Sequence, residues 1–116
     1  LYPYCYSAKK PADEPAFIAM GEAYGREQKD HRYSIQQSRT WYAILGDMDD
    51  WFYDTHGTLS VTVELSMPMA GFQWNPINLF RAFTFMNPPT PEPTIENNLY
   101  ACFAGLAEGV RLKEEG

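Results

Sequence analysis

The stretch LSVTVELS, residues 59–66, decides the predicted fold, because apolar and polar side chains alternate along all of it. A period of two residues is that of a β-strand, in which neighbouring side chains point to opposite faces. The sequence therefore predicts a half-buried strand that presents Glu64 on its polar side. The apolar face consists of Leu59, Val61, Val63 and Leu65, and the polar face consists of Ser60, Thr62, Glu64 and Ser66.

Two helices are predicted, one before this strand in the sequence and one after it. The first covers residues 14–29, begins at the capping carboxylate of Asp13 and has Pro15 in its first turn. Its apolar residues recur at helical spacing: Phe17, Met20 and Tyr24. The second is capped by Thr94 and carries an apolar stripe made of Ile95, Leu99, Cys102, Phe103, Leu106 and Val110.

A weaker strand signal covers residues 33–42, and the proline-rich residues 67–93 are expected to form a long, ordered connection. Helices that alternate with strands indicate an α/β fold, with helices on the faces of a sheet. Two or three strands leave sheet edges unpaired. We therefore expect residues 1–116 to be one part of a larger domain.

Composition and charge limit the class of protein. The chain has 116 residues, of which 45% are hydrophobic and 16% aromatic, so it can bury a core. Its net charge of -6 argues against nucleic acid and anionic membranes as partners. No apolar run reaches the roughly 20 residues of a membrane helix. Because the first residue is Leu1 and not methionine, we expect the chain to be cut or processed from a longer one.

The cysteines and histidines show no metal-site spacing. Free thiols are the favoured interpretation of Cys5 and Cys102, with a disulfide between them as the alternative. His31 lies in a charged stretch and His56 precedes Gly57 in a turn, so both are interpreted as solvated residues.

The segment WYAILGDMDDWFYDTHGTLSVTVELS, residues 41–66, resembles the catalytic stretch of the carboxypeptidase A/B-type zinc metallocarboxypeptidases. That stretch has a lid tyrosine, a glycine-rich turn, an Asp-Trp pair and a strand that ends in Glu-Leu. The intervals also agree, with nine residues from Tyr42 to Trp51 and thirteen from Trp51 to Glu64. Two further segments are similar to the family: LYPYCY at residues 1–6 and FMNPPTPEPTIENNL at residues 85–99.

The resemblance implies the C-terminal part of a catalytic domain built on a mixed sheet. It implies one Zn²⁺, whose ligands are expected upstream of Leu1 because the H-x-x-E motif is absent here. The partners implied are the rest of the catalytic domain and the C-terminus of a peptide substrate. A secreted or periplasmic location is weakly favoured by the family alone, and the compartment stays unknown from the sequence.

The resemblance also assigns roles to six residues. Glu64 takes the role of general base and acid, and Tyr42 is the lid over the terminal residue of the substrate. Asp49 is a candidate selector of basic C-terminal residues, with a solvated acidic turn as the alternative. The remaining assignments are Asp50, the structural aspartate before tryptophan; Thr62, a pocket wall; and Cys5, where the family often has glycine in its specificity pocket.

Two other functions are compatible with these residues. One is a zinc N-acyl amino-acid deacylase of the same superfold, although the segment from Tyr42 to Trp51 favours the peptidase. The other is a catalytically inactive, carboxypeptidase-like binding domain, which the absent zinc ligands would suit.

Overall fold

The computed structural model describes residues 1–65 and 90–115. The end of the predicted strand at Ser66 and the predicted connection as far as residue 89 lie outside the described residues. The helices of the described part are α1 (Glu14–Glu27), α2 (Ser38–Trp41), α3 (Met48–His56) and α4 (Glu92–Glu115).

Helix α1 confirms the first predicted helix, apart from its last two residues. Pro15 lies in the first turn, as predicted, and Phe17 and Met20 are buried. Asp13 occupies the capping position, but its side chain does not cap the helix. The carboxylate of Asp13 instead accepts a hydrogen bond from the Tyr53 hydroxyl at 3.0 Å.

Helix α4 confirms the last predicted helix, but it begins at Glu92, so Thr94 lies inside the helix and is not its cap. It packs on α1 through small residues. A Cβ atom added to Gly105 would lie 3.5 Å from the Tyr24 ring, and one added to Gly109 would lie 3.0 Å from the Met20 methyl carbon. The large side chains of the predicted apolar stripe are exposed: Ile95, Leu99, Phe103, Leu106 and Val110.

Two buried asparagines on α4 hold the chain that follows α1. The Asn98 side chain accepts hydrogen bonds from the Tyr24 hydroxyl at 2.7 Å and the Gln28 amide at 3.0 Å. Its own amide donates to the Tyr33 hydroxyl at 3.1 Å. Asn97 accepts the backbone N–H of Asp30 at 2.8 Å. These bonds fix residues 28–33 against α4.

The predicted α/β mixed sheet is wrong for the described part of the chain. That part contains one isolated parallel bridge, between Tyr2 and Gln37, and no strand. Thr62 and Leu1 exchange backbone hydrogen bonds, with N···O distances of 2.7 and 3.0 Å, as opposite residues of antiparallel strands do. Alternating side chains favour an extended backbone, but a ladder needs a neighbouring strand that pairs with several successive residues. Thr62 is the one residue of 59–65 with such a partner among the described residues.

The predicted strand at residues 33–42 is also wrong, because the chain turns into α2 at Ser38. The N–H of Ser38 donates to the Tyr2 carbonyl at 2.9 Å, and that of Arg39 to the Tyr4 carbonyl at 3.0 Å. Contacts with the N-terminal segment thus bend this part of the chain and prevent a straight strand.

An aromatic cluster forms the core beneath these segments. Its rings lie 5.2 to 5.7 Å apart in the pairs that join α1, α3 and the N-terminal segment. Leu59 packs against it. Its members are Tyr2, Tyr4, Phe17 and Tyr53.

Both cysteines are free, as the favoured interpretation held, although Cys102 is exposed and only Cys5 is buried. Within residues 1–65 and 90–115, no helix has both the length and the apolar character needed to cross a membrane.

Asn98→Ala should lower the free energy of unfolding by about 2 to 4 kcal/mol, because three buried polar groups lose a partner. Urea unfolding followed by circular dichroism measures this loss. The matched control is Leu99→Ala on the neighbouring exposed position, which should cost about 1 kcal/mol or less. Equal losses in the two variants would contradict the described role of Asn98.

Candidate active site

Helix α3 builds the site, and it was not predicted from the sequence. Its first turn carries Asp49 and Asp50, where carboxylates are favoured by the helix dipole. It ends at Gly57, whose φ of 62° is the left-handed conformation common after helices. Two signals in the sequence could have revealed this helix: the adjacent acids Asp49 and Asp50, and Gly57, which follows Asp50 by seven residues.

Asp50 holds the N-terminal segment. Both of its carboxylate oxygens lie 2.9 Å from the backbone nitrogen of Cys5, and one lies 3.1 Å from that of Tyr6. Asp50 is only 5% exposed. A buried carboxylate is stabilised by such N–H donors, so this contact fixes residues 5 and 6 against α3.

Asp49 holds the segment that carries Glu64. Its two oxygens accept hydrogen bonds from the hydroxyls of Ser60 and Thr62, each at 2.5 Å. Asp49 is also 5% exposed and has no ion-pair partner among the described residues. Ser60 was not among the predicted site residues, although its place two residues before Thr62 on the polar face could have indicated it.

Glu64 lies on the surface, and no hydrogen bond or ion pair joins its side chain to another described residue. Its negative charge nevertheless reaches Tyr42. The pKa of Tyr42 is raised first by burial and next by the charge of Glu64, with Asp49 a smaller contributor. Tyr42, Asp49 and Glu64 therefore share one electrostatic neighbourhood.

Tyr42 lies directly after α2, at the start of loop 43–47, and is 37% exposed. Its carbonyl accepts a hydrogen bond from the Cys5 thiol at 3.3 Å. Gly46 in the loop has a φ of 81°, a conformation that suits glycine. The loop ends at Asp47, whose pKa is raised by burial and then by the charges of Asp49 and Asp50.

A groove of about 500 Å³ lies between α1, α4 and residues 61–64. Most of its lining is apolar, including Phe17, Met20, Ile35, Val61, Val63 and Leu106. Residues from both faces of segment 61–64 line the groove, Thr62 and Glu64 as well as Val61 and Val63, so it borders two of the predicted site residues.

The structure thus brings the six predicted site residues into one region. Asp50 and Cys5 contact each other, Cys5 contacts Tyr42, and Asp49 contacts Thr62. Cys5 is fully buried and lies beneath Tyr42, so a direct contact with substrate stays a prediction.

His31 lines the same groove as Thr62 and Glu64, and His56 is the last residue of α3. The His56 ring packs on Trp51 at 5.1 Å, and the His31 ring lies 5.9 Å from that of Tyr33. Across residues 1–65 and 90–115, no group of three His, Cys, Asp or Glu side chains could hold a metal ion.

Residues 1–91 match the family model of the zinc carboxypeptidases. The chain belongs to the zinc carboxypeptidase family. No curated protein and no solved structure matched the chain in the corresponding comparisons. The family is one of zinc-dependent metallopeptidases, which are hydrolases that act in proteolysis. The A/B-type subtype and the C-terminal placement within the domain stay predictions.

Family membership implies Zn²⁺ in general terms. The described residues of this chain do not fit that metal, because they bring no ligand set together. We therefore derive no catalytic step through a metal ion.

Asp50→Ala should lower the free energy of unfolding by about 2 to 4 kcal/mol, because two backbone N–H groups lose a charged acceptor. Asp54→Ala removes the exposed hydrogen bond that the Tyr6 hydroxyl donates at 3.0 Å, and it should lower the free energy of unfolding by about 1 kcal/mol or less. Thermal and urea unfolding of both variants measure the difference. Equal losses in the two variants would show that Asp50 does not anchor the N-terminal segment.

Proposed function

We propose that this chain is the C-terminal part of the catalytic domain of an A/B-type carboxypeptidase, which hydrolyses the last peptide bond of its substrate. The observation that carries the proposal is the pair of contacts made by α3: Asp49 holds Thr62, two residues before Glu64, and Asp50 holds Cys5, which contacts Tyr42. Membership of the zinc carboxypeptidase family supports the reaction class.

Glu64 is the general base and acid of this proposal. Its carboxylate has no partner among the described residues, so it is free to accept a proton from the attacking water. The same carboxylate then passes that proton to the nitrogen of the leaving amino acid. The attachment of Thr62 to Asp49 and to Leu1 fixes the backbone from which Glu64 projects.

Tyr42 is the lid of this proposal. Its phenol is protonated at neutral pH, as in any tyrosine, and burial and the charge of Glu64 raise its pKa further, so the hydroxyl can donate a hydrogen bond to the terminal carboxylate of a peptide. Its partly exposed ring lies at the start of loop 43–47, where a small movement would open or cover the site.

Asp49 selects a basic C-terminal residue in this proposal. A buried carboxylate held only by neutral hydroxyls is costly, and a substrate ammonium or guanidinium would stabilise it. Each carboxylate oxygen can accept a second hydrogen bond besides the one it receives from Ser60 or Thr62. The acidic net charge of -6 is consistent with a cationic substrate and not with nucleic acid or an anionic membrane.

We propose that the rest of the catalytic domain is the partner of this segment. The zinc ligands are placed there, upstream of Leu1. The backbone groups of Val61 and Val63 make no hydrogen bond to any other described residue, so this edge can accept a strand. The groove beside them and the exposed stripe of α4 are apolar surfaces that such a layer would cover.

Glu64→Gln in the full-length protein should lower kcat by about 10²- to 10⁴-fold, because glutamine cannot accept the proton. The zinc content should stay unchanged, since the proposal gives Glu64 no role as a ligand. Release of the C-terminal residue from peptides, measured together with bound zinc, tests both statements. The matched control is Glu22→Gln on the exposed side of α1, which should keep full activity.

Retained hydrolysis in Glu64→Gln would refute the assigned role. A wild-type protein that hydrolyses N-acyl amino acids in preference to peptides would support the deacylase instead. A wild-type protein that binds peptides without hydrolysing any substrate would support the inactive binding domain.

Asp49→Asn should lower kcat/KM for peptides ending in Lys or Arg by about 10- to 100-fold, because the cation loses its counter-charge. The kcat/KM for peptides ending in Leu or Phe should change little. Asp47→Asn, two residues earlier, is the control and should leave the ratio of the two substrates unchanged. An equal loss for both substrate classes in Asp49→Asn would show a structural role and not a selective one.

A further inference from the structure

Cys5 is held in place from two sides. Its backbone N–H is bound by the Asp50 carboxylate, with both oxygens at 2.9 Å. Its side chain is fully buried, and its thiol donates to the Tyr42 carbonyl at 3.3 Å. The rigid helix α3 is thereby connected, through one residue, to the backbone of Tyr42.

Tyr42 is the last residue before the loop to α3 whose backbone is hydrogen-bonded to another described part of the chain. Its N–H donates to the Ser38 carbonyl at 3.1 Å, which closes α2. No hydrogen bond joins residues 43–46 to any other described part of the chain. The loop is therefore attached at its N-terminal end through the N–H and the carbonyl of Tyr42. Cys5 is the hydrogen-bond partner of the carbonyl.

The geometry points to Cys5 as a positioning residue for Tyr42, acting through its thiol hydrogen bond to the Tyr42 carbonyl. This bond sets the start of loop 43–47 and the direction in which the Tyr42 ring leaves the backbone, beside Glu64. Glycine, which the family resemblance leads one to expect at this position, has no side-chain donor. The inference deepens the proposed function, since it concerns the residue proposed as the lid.

Substitution of Cys5 by alanine and by serine distinguishes the effect of the thiol hydrogen bond from the effect of side-chain packing. Cys5→Ala removes the donor and leaves a small space, whereas Cys5→Ser keeps a hydroxyl that can donate to the same carbonyl. Hydrogen exchange of the Tyr42 amide reports the attachment, because that amide is bonded to Ser38 and is protected only while Tyr42 stays in place.

In the full-length protein, Cys5→Ala should speed exchange of the Tyr42 amide by about 3- to 10-fold, the range expected for one modest hydrogen bond. Cys5→Ser should stay within about twofold of wild type, and the amides of α1 should be unchanged in both variants. Mass spectrometry of peptides covering residues 38–47 and 14–27 measures this. Wild-type exchange in Cys5→Ala, or equal loosening in both variants, would overturn the assignment.

A second measurement applies if Cys5→Ala does not fold. In a Cys102→Ser background, labelling of Cys5 by a thiol reagent is located by peptide mapping. The reagent should label Cys5 no faster than the Tyr42 amide exchanges. The reagent reaches the buried thiol only when the hydrogen bond between Cys5 and Tyr42 opens. Labelling as fast as in the denatured protein would overturn the assignment. Neither readout involves hydrolysis, so a failure of Glu64→Gln to lose activity would remove the proposed function and leave this result standing.

Discussion

Two adjacent buried carboxylates, Asp49 and Asp50, are the interaction on which the candidate site depends. They are neighbours in the first turn of α3, so their side chains leave the helix in different directions. Asp50 binds the backbone of residues 5 and 6, and Asp49 binds the hydroxyls of Ser60 and Thr62. Two segments that are distant in the sequence are thereby held against one short helix.

This arrangement explains why the site residues lie together although no strand is present in the described chain. Burying a carboxylate is costly unless it is well hydrogen-bonded, and each of these two has at least two donors. The position at a helix N-terminus adds a favourable dipole. The carboxylates are therefore stable only in an arrangement that brings residues 5, 60 and 62 to α3, which also brings Glu64 near Tyr42.

The parts of the fold that could be predicted are those fixed by local signals. Helix α1 has its proline and its apolar spacing within one segment, and α4 is long enough for its period to be clear. The grouping of Tyr42, Asp49, Thr62 and Glu64 was implied by the family resemblance, and their roles stay predictions. These signals need no knowledge of what the segments contact.

The parts that could not be predicted depend on distant partners. Residues 33–42 have strand-forming side chains, yet contacts from Ser38 to Tyr2 turn them into α2. The stripe of α4 suggested a buried apolar face, whereas Gly105 and Gly109 allow the small side to approach α1. Residues 59–65 form no strand in the described part of the chain, because a sheet requires neighbours, which the alternation of one segment cannot supply.

A crystal structure of the full-length protein tests the central claim most directly, because it shows both aspartates and their donors at once. The account predicts Asp49 bonded to Ser60 and Thr62, Asp50 bonded to the amides of residues 5 and 6, and Glu64 on the same side of its segment as Tyr42. Aspartates that point into solvent, with residues 5, 60 and 62 detached from α3, would contradict it.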